Sequence, residues 1–239
     1  MPDFFHECEA KYPLRSADDR EKLEQRIVGC GFVCKGDQFE SDVVPDTADF
    51  RCRQQKLVLR FRHITRKDNT DVLVTLKVRG EAAHFQEHFE LEYYLSKPNA
   101  AIFADIRTTF RDRISVDLPE TLNNFKPDQF DMLIADVKKI LPSHRIVFEK
   151  VRRTYTRGDC KALIDTLPEG LGDYLELEAP SPDQLQALII ELGRADTARD
   201  PRDYGELLTE HKAQYPEQEK RTGRFTAAVR KTLLERIIG

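Results

Sequence analysis

The chain has no apolar run of bilayer length, so no membrane-crossing helix is expected. Asp3, Glu7 and Glu9 come almost at once, and no signal-peptide core fits there. Nor does either charge sign dominate. Acids outnumber bases only 42 to 38, which gives no case for a nucleic-acid or membrane partner. A disulfide framework is missing as well. Cys8, Cys30, Cys34, Cys52 and Cys160 are odd in number and lack paired spacing, which points to reduced thiols and a cytoplasmic location. Cys30 and Cys34 stand four apart, but no second cysteine or histidine pair completes a zinc site on that spacing. There is no Gly-rich phosphate loop and no Ser-His-Asp set. Gly170 and Gly172 suit the turn before the last strand. His63, His84, His88 and His144 have no catalytic spacing and read as surface or ordinary polar histidines.

What is present is a globular chain of 239 residues, a third of them charged and two-fifths apolar, enough to bury a core. SADDREKLEQRIVGCG reads as a helix, with Ser16 as cap, Asp19 as reciprocal acid, Leu23 and Ile27 as the apolar stripe, and Gly29 or Gly31 at the end. Phe130, Leu133, Ile134, Val137 and Leu141 recur at helical spacing before Pro142. SPDQLQALIIELG carries Ser181 as cap, Pro182 at the first position and Gly193 beyond the end. Phe225, Val229, Leu233 and Ile237 predict an amphipathic tail helix over 222–238. Pro98, Pro119 and Pro127 break any long pattern between 96 and 127. Strands are predicted in LVLRFRHI, DVLVTLKVRG, HFQEHFELEYYL, RIVFEKVRRTYTR, CKALIDTL and DYLELEA, with DQFESDVV a weaker candidate. Strands and helices come in blocks rather than in regular alternation. This predicts an α+β, mainly β, fold: an antiparallel sheet or barrel with helices packed outside.

The strands are charged on one face. In HECEAKYPL, Glu7, Glu9 and Lys11 share one side, and His6, Cys8, Ala10 and Tyr12 the other. Arg60 and Arg62 oppose Leu57, Leu59 and Phe61. Lys77 and Arg79 follow Thr75 opposite Val74, Leu76 and Val78. His88, Glu90 and Glu92 alternate with Phe85, Phe89, Leu91 and Tyr93. Lys161 and Asp165 alternate with Ala162 and Ile164, and Glu176 and Glu178 with Leu175 and Leu177. Lys150 and Arg152 share a face with Phe148, opposite Glu149 and Arg153. One such strand is the wet side of an ordinary sheet. Six such strands, with acids dominating the first and last and bases those carrying Arg60, Lys77 and Arg152, read differently. If the sheet closes, its interior is a cavity with a carboxylate wall and a cationic wall. Such a cavity suits a polyanion held by Arg and Lys and bridged to glutamates by a divalent cation.

The spacing Glu7-x-Glu9-x-Lys11 resembles the signature of the CYTH family, the triphosphate tunnel metalloenzymes. LVLRFR resembles the family's paired-arginine strand, VTLK its lysine strand and FELE its acidic fourth strand. EKVRRTY resembles its K-x-R strand, and LIDTLPEGLGDYLELE its last two strands. The resemblance implies an eight-stranded antiparallel closed β-barrel, a tunnel, within one domain spanning 1–239. Its tunnel strands would lie at about 4–179, a helical insertion at about 96–142 and C-terminal helices at about 181–239. Glu7, Glu9, Glu176 and Glu178 would hold Mg²⁺ or Mn²⁺. Lys11, Arg60, Arg62, Lys77 and Arg152 would grip phosphate oxygens. Lys150, with Lys11, would act at the reacting phosphorus. Glu90 and Asp165 would support the metal shell or the cations. Whether Arg79 faces the tunnel is left open.

Three functions follow as expectations. The first is a metal-dependent triphosphatase acting on inorganic triphosphate or a small organic triphosphate such as thiamine triphosphate. The second is a cyclase that converts ATP to cyclic AMP and pyrophosphate in the same tunnel. The third is a non-catalytic binder of polyphosphate or RNA 5′ ends, which a full set of metal-holding acids argues against.

Overall fold

The computed structural model describes residues 5–80 and 86–239. Phe85, His84 and the start of the first strand near residue 4 lie outside them. The strands are β1 (Phe5–Leu14), β2 (Val33–Asp46), β3 (Leu57–Thr65), β4 (Thr70–Arg79), β5 (Gln86–Tyr94), β6 (Ser143–Arg157), β7 (Cys160–Leu167), β8 (Gly172–Ala179) and the two-residue β9 (Thr222–Gly223). The helices are α1 (Ala17–Gly29), α2 (Arg51–Gln54), α3 (Ala100–Ile114), α4 (Phe130–Ile140), α5 (Pro182–Glu191), α6 (Tyr204–His211), α7 (Glu217–Lys220) and α8 (Ala227–Ile238). Eight strands pair antiparallel in the order β2-β3-β4-β5-β1-β8-β7-β6, and β6 returns to β2. The expected closed, eight-stranded antiparallel sheet is therefore present, with helices outside it. β9 adds in parallel to Val147 and Phe148 of β6.

Closure follows from the two-residue period of the strands. Leu57, Leu59 and Phe61, Val72, Val74 and Leu76, Ala162 and Ile164, and Leu175 and Leu177 are all buried on the outer side. Helices cover that side in two main layers. Leu23 and Ile27 of α1 and Leu185, Leu188 and Ile189 of α5 pack on β1, β7 and β8. α3 and α4 pack on β3, β4 and β5 through Phe103, Ile106, Phe110, Leu133 and Val137. Each large apolar side chain buried in this way contributes roughly 1.5–3 kcal/mol.

Local signals explain most boundaries. The Ser16 hydroxyl accepts from the Asp19 amide at 3.0 Å. Asp19 reaches back to the Arg15 amide rather than to Ser16, so the reciprocal arm of the cap falls one residue early. The helix ends where the Phe32 amide donates to Ile27 O and the Gly31 amide to Val28 O. That geometry puts Gly31 at φ +82°, a region open to glycine.

Three elements differ from the sequence reading. β2 is 14 residues long and fully integrated, not a marginal strand. The tail helix starts at Ala227 with Thr226 as cap, so Phe225 precedes it, and Val229 is exposed. The helix α3 lies inside the segment that prolines obscured. Pro98 falls just before its cap Asn99, while Pro119 and Pro127 sit at the starts of short 3₁₀ turns. These prolines punctuate helices rather than exclude them.

Candidate active site

The register sets charged residues side by side around the interior. Across β1 and β8, Glu9 lies opposite Glu178 and Lys11 opposite Glu176. Lys161 on β7 also lies opposite Glu178, and Arg152 on β6 opposite Asp165. Glu40 faces Lys150 across the β2–β6 seam, Asp42 faces Arg62, and Lys77 faces Glu90. These side chains line, or stand just behind the wall of, one cavity of about 640 Å³.

The charges fall into two connected groups. In the first, Lys77 contacts Glu90 and lies 3.4 Å from Glu7, while Lys161 lies 2.6 Å from Glu178 and 3.6 Å from Glu7. Burial raises the Glu7 carboxyl, but Lys77 and Lys161 outweigh it and hold Glu7 down at about 2. Carboxylates outnumber ammonium groups here. Burial and the charge on Glu7 push Glu178 up to about 8. Burial, with Glu7 and Glu92 nearby, pushes Glu90 up to about 9. Glu9 lies 3.5 Å from His88 Nε2. In the second group, Asp165 is fully buried and accepts from Arg152 at 2.7 and 2.6 Å, from Lys150 at 3.0 Å and from the Tyr204 hydroxyl at 2.7 Å. Lys150 also lies 3.4 Å from Glu40. Arg62 binds Asp42 at 2.6 and 2.8 Å and Glu40 at 3.0 Å. Despite burial, Glu40, Asp165 and Glu176 are held below the usual carboxylate range by these arginines and by Lys150.

The C-terminal segment closes over one end. The Asp200 amide donates to Lys11 O at 2.8 Å, and Lys11 Nζ donates to Arg202 O at 2.8 Å. Asp203 and Glu206 cap the start of α6 reciprocally. Arg145 and Arg79 lie 3.2 and 3.7 Å from Asp203. This anchoring projects Tyr204 into the tunnel, its ring 4.3 Å from Lys11 Nζ and 4.9 Å from Lys150 Nζ.

The site residues singled out from the sequence line one interior, Arg79 among them, except Asp165, which stands behind Lys150 and Arg152. Others were missed. Glu40 and Asp42 obey the same alternation, but their strand was read as weak. Glu92 and Lys161 were seen on the charged faces and given no role. Tyr204 has no signal in the sequence, because its position depends on how α6 docks. His88 corrects the reading of an ordinary histidine: it is buried on the tunnel face beside Glu9.

The donor set of Glu7, Glu9, Glu176 and Glu178 offers carboxylate oxygens alone, which suits a hard divalent cation. Lys77 and Lys161 stand among Glu7, Glu90 and Glu178 and supply cationic charge there. The residues fit a divalent ion by their chemistry and by this stand-in charge.

The CYTH domain profile matches residues 6–196. The chain belongs to the CYTH family, whose members are generally metal-dependent enzymes acting on triphosphates. Solved structures share the fold. The PH1819 protein of Pyrococcus horikoshii OT3 is 16% identical with a TM-score of 0.57, covering 85% of this chain and 98% of its own. A protein proposed as an adenylate cyclase from Vibrio parahaemolyticus is 17% identical, with a TM-score of 0.57, covering 87% and 99%. HpAC1 from Hippeastrum, proposed as an adenylyl cyclase and described as having a dominant triphosphatase activity, is 15% identical. Its TM-score is 0.52, with 89% and 99% covered. No curated protein matches the chain. Among the described residues, no helix is long and apolar enough to cross a membrane.

The acid-rich group predicts an unusual pH response in chelator. Glu178 and Glu90 titrate near 4.5 when unfolded and at about 8 and about 9 when folded. The folded chain therefore holds protons that the unfolded chain has released. The stability they confer is complete below about 4.5 and is lost as pH rises through the folded values. The melting temperature in chelator should fall between pH 6 and 9.5, and fall less steeply in Glu178→Gln. An unchanged slope in that variant contradicts the placement of Glu178 in a crowded acid cluster.

Proposed function

We propose that the chain is a divalent-metal-dependent triphosphatase that hydrolyses inorganic triphosphate or a small organic triphosphate inside the tunnel. One observation carries the reading: arginines and lysines, together with an excess of carboxylates at β1 and β8, line the same cavity inside the closed sheet. A triphosphate is too strongly charged for water to approach as a nucleophile unless cations surround it. Arg60, Arg62, Lys77, Arg152 and Lys11 would supply that surround, with arginine forks matching phosphate oxygens. Arg60 supports this, since its buried Nε has no hydrogen-bond partner among the described residues. Glu7, Glu9, Glu176 and Glu178 would hold Mg²⁺ or Mn²⁺, which when bound supplies further positive charge at the phosphate oxygens. Lys150, held between Asp165 and Glu40, would orient the attacking water at the terminal phosphorus. The bridging P–O bond then breaks, and pyrophosphate leaves when triphosphate is the substrate. Catalysis would rest on positioning and preorganised charge rather than on a covalent intermediate.

Product analysis with Mg²⁺ or Mn²⁺ tests the reading on triphosphate, thiamine triphosphate and ATP. Orthophosphate release is expected. Cyclic AMP and pyrophosphate from ATP would make the cyclase the correct reading, and tight binding without turnover would leave a binder.

The two lysines should separate kinetically. Lys77→Met removes a gripping cation and should mainly raise KM, whereas Lys150→Met should mainly lower kcat, by about tenfold or more. Both keep the aliphatic stem, and circular dichroism checks the fold. A pure KM defect in Lys150→Met reduces Lys150 to another phosphate contact.

A further inference from the structure

Outside the tunnel, His6, Cys8 and Glu87 form a second constellation. β1 alternates, so His6 and Cys8 point away from Glu7 and Glu9. Cys8 lies directly opposite Glu87 in the β1–β5 register, and His6 stands one pleat further along. One imidazole nitrogen, the thiol sulfur and one carboxylate oxygen all lie within 4.8 Å of one another, with His6 Nε2 3.8 Å from Glu87. A second observation bears on the imidazole. His6 Nδ1 lies 3.0 Å from the Pro180 carbonyl oxygen. A carbonyl only accepts, so Nδ1 carries the proton, and in the neutral ring Nε2, which faces Glu87, keeps a lone pair. A backbone carbonyl on the far nitrogen is the usual support of a metal-binding histidine.

We propose that His6, Cys8 and Glu87 form a metal site of nitrogen, sulfur and oxygen donors, distinct from the carboxylate wall of the tunnel and suited to a borderline-soft divalent ion such as Zn²⁺. Ligands bound to one zinc ion stand about 3.3–3.8 Å apart, so the group closes by at most about 1.5 Å. Cys8 is fully buried, whereas the His6 and Glu87 side chains are 35% and 24% exposed, which leaves the fourth position to solvent. On binding, the Cys8 thiol releases its proton to solvent, and sulfur, Nε2 and a carboxylate oxygen donate to the ion. The ion would tie the start of β1 to β5, next to the tunnel glutamates. A search for cysteine pairs along the sequence misses this site, because two ligands lie two apart on one strand and the third comes from its neighbour.

Sulfur makes the site separable from the tunnel, whose charged lining holds no cysteine. The reduced, metal-free full chain is titrated with Co²⁺ and followed by near-ultraviolet thiolate-to-cobalt absorption. One equivalent should saturate the band, and Zn²⁺ should displace it. Cys8→Ser should abolish it, while Cys34→Ser and Cys160→Ser keep it. His6→Ala and Glu87→Gln, which leave the core untouched, should each weaken binding at least about tenfold. No band in the wild type, a band that survives Cys8→Ser, or unchanged affinity in both His6→Ala and Glu87→Gln overturns the site.

Discussion

A carboxylate or ammonium taken out of water costs several kcal/mol unless an opposite charge meets it. The closed sheet takes many of them out of water together. Each strand brings its charges into the interior at two-residue intervals, and antiparallel pairing sets an acid beside a base at most rungs. Asp42 with Arg62, Glu40 with Lys150, and Asp165 with Arg152 are such rungs. The fold thus tolerates the tunnel because its charges are arranged in pairs. The exceptions cluster at β1 and β8, where Glu9 faces Glu178. There the acids outnumber the bases, and the proposed divalent cation would offset that excess.

The same constraint organises the cations of the site. Arg152 and Lys150 are fixed by Asp165, and Asp165 in turn holds the Tyr204 hydroxyl. A segment more than twenty residues beyond the last tunnel strand therefore touches the same buried carboxylate as the two cations. Lys11 is tied to that segment through Arg202 O, so the first strand and the C-terminal region share one end of the cavity. A polyanion entering from the other end would compete with Glu40, Asp42 and Glu92 for the arginines.

The tunnel face was legible because a two-residue period with charges on one side survives in the bare sequence. LVLRFR and DYLELEA display it almost without noise. β2 was harder to read. Gly36, Asp37 and Ser41 dilute its strand character, and its pairing with β6 supplies what local propensity does not. α3 was hidden by prolines that turned out to mark boundaries. His88 looks ordinary until closure turns its face inward, and Tyr204 depends wholly on the docking of α6. Local pattern recorded the strands, whereas positions set by tertiary packing left no local trace.

The central claim is that the tunnel recognises a chain of phosphates together with a divalent cation. Calorimetry on the wild-type protein tests it most directly, using a non-hydrolysable imido analogue of triphosphate, pyrophosphate and orthophosphate, each with and without Mg²⁺. The account predicts affinity that rises steeply with phosphate number and rises further with the metal. Equal affinity for orthophosphate and the triphosphate analogue, or analogue binding indifferent to Mg²⁺, would contradict it.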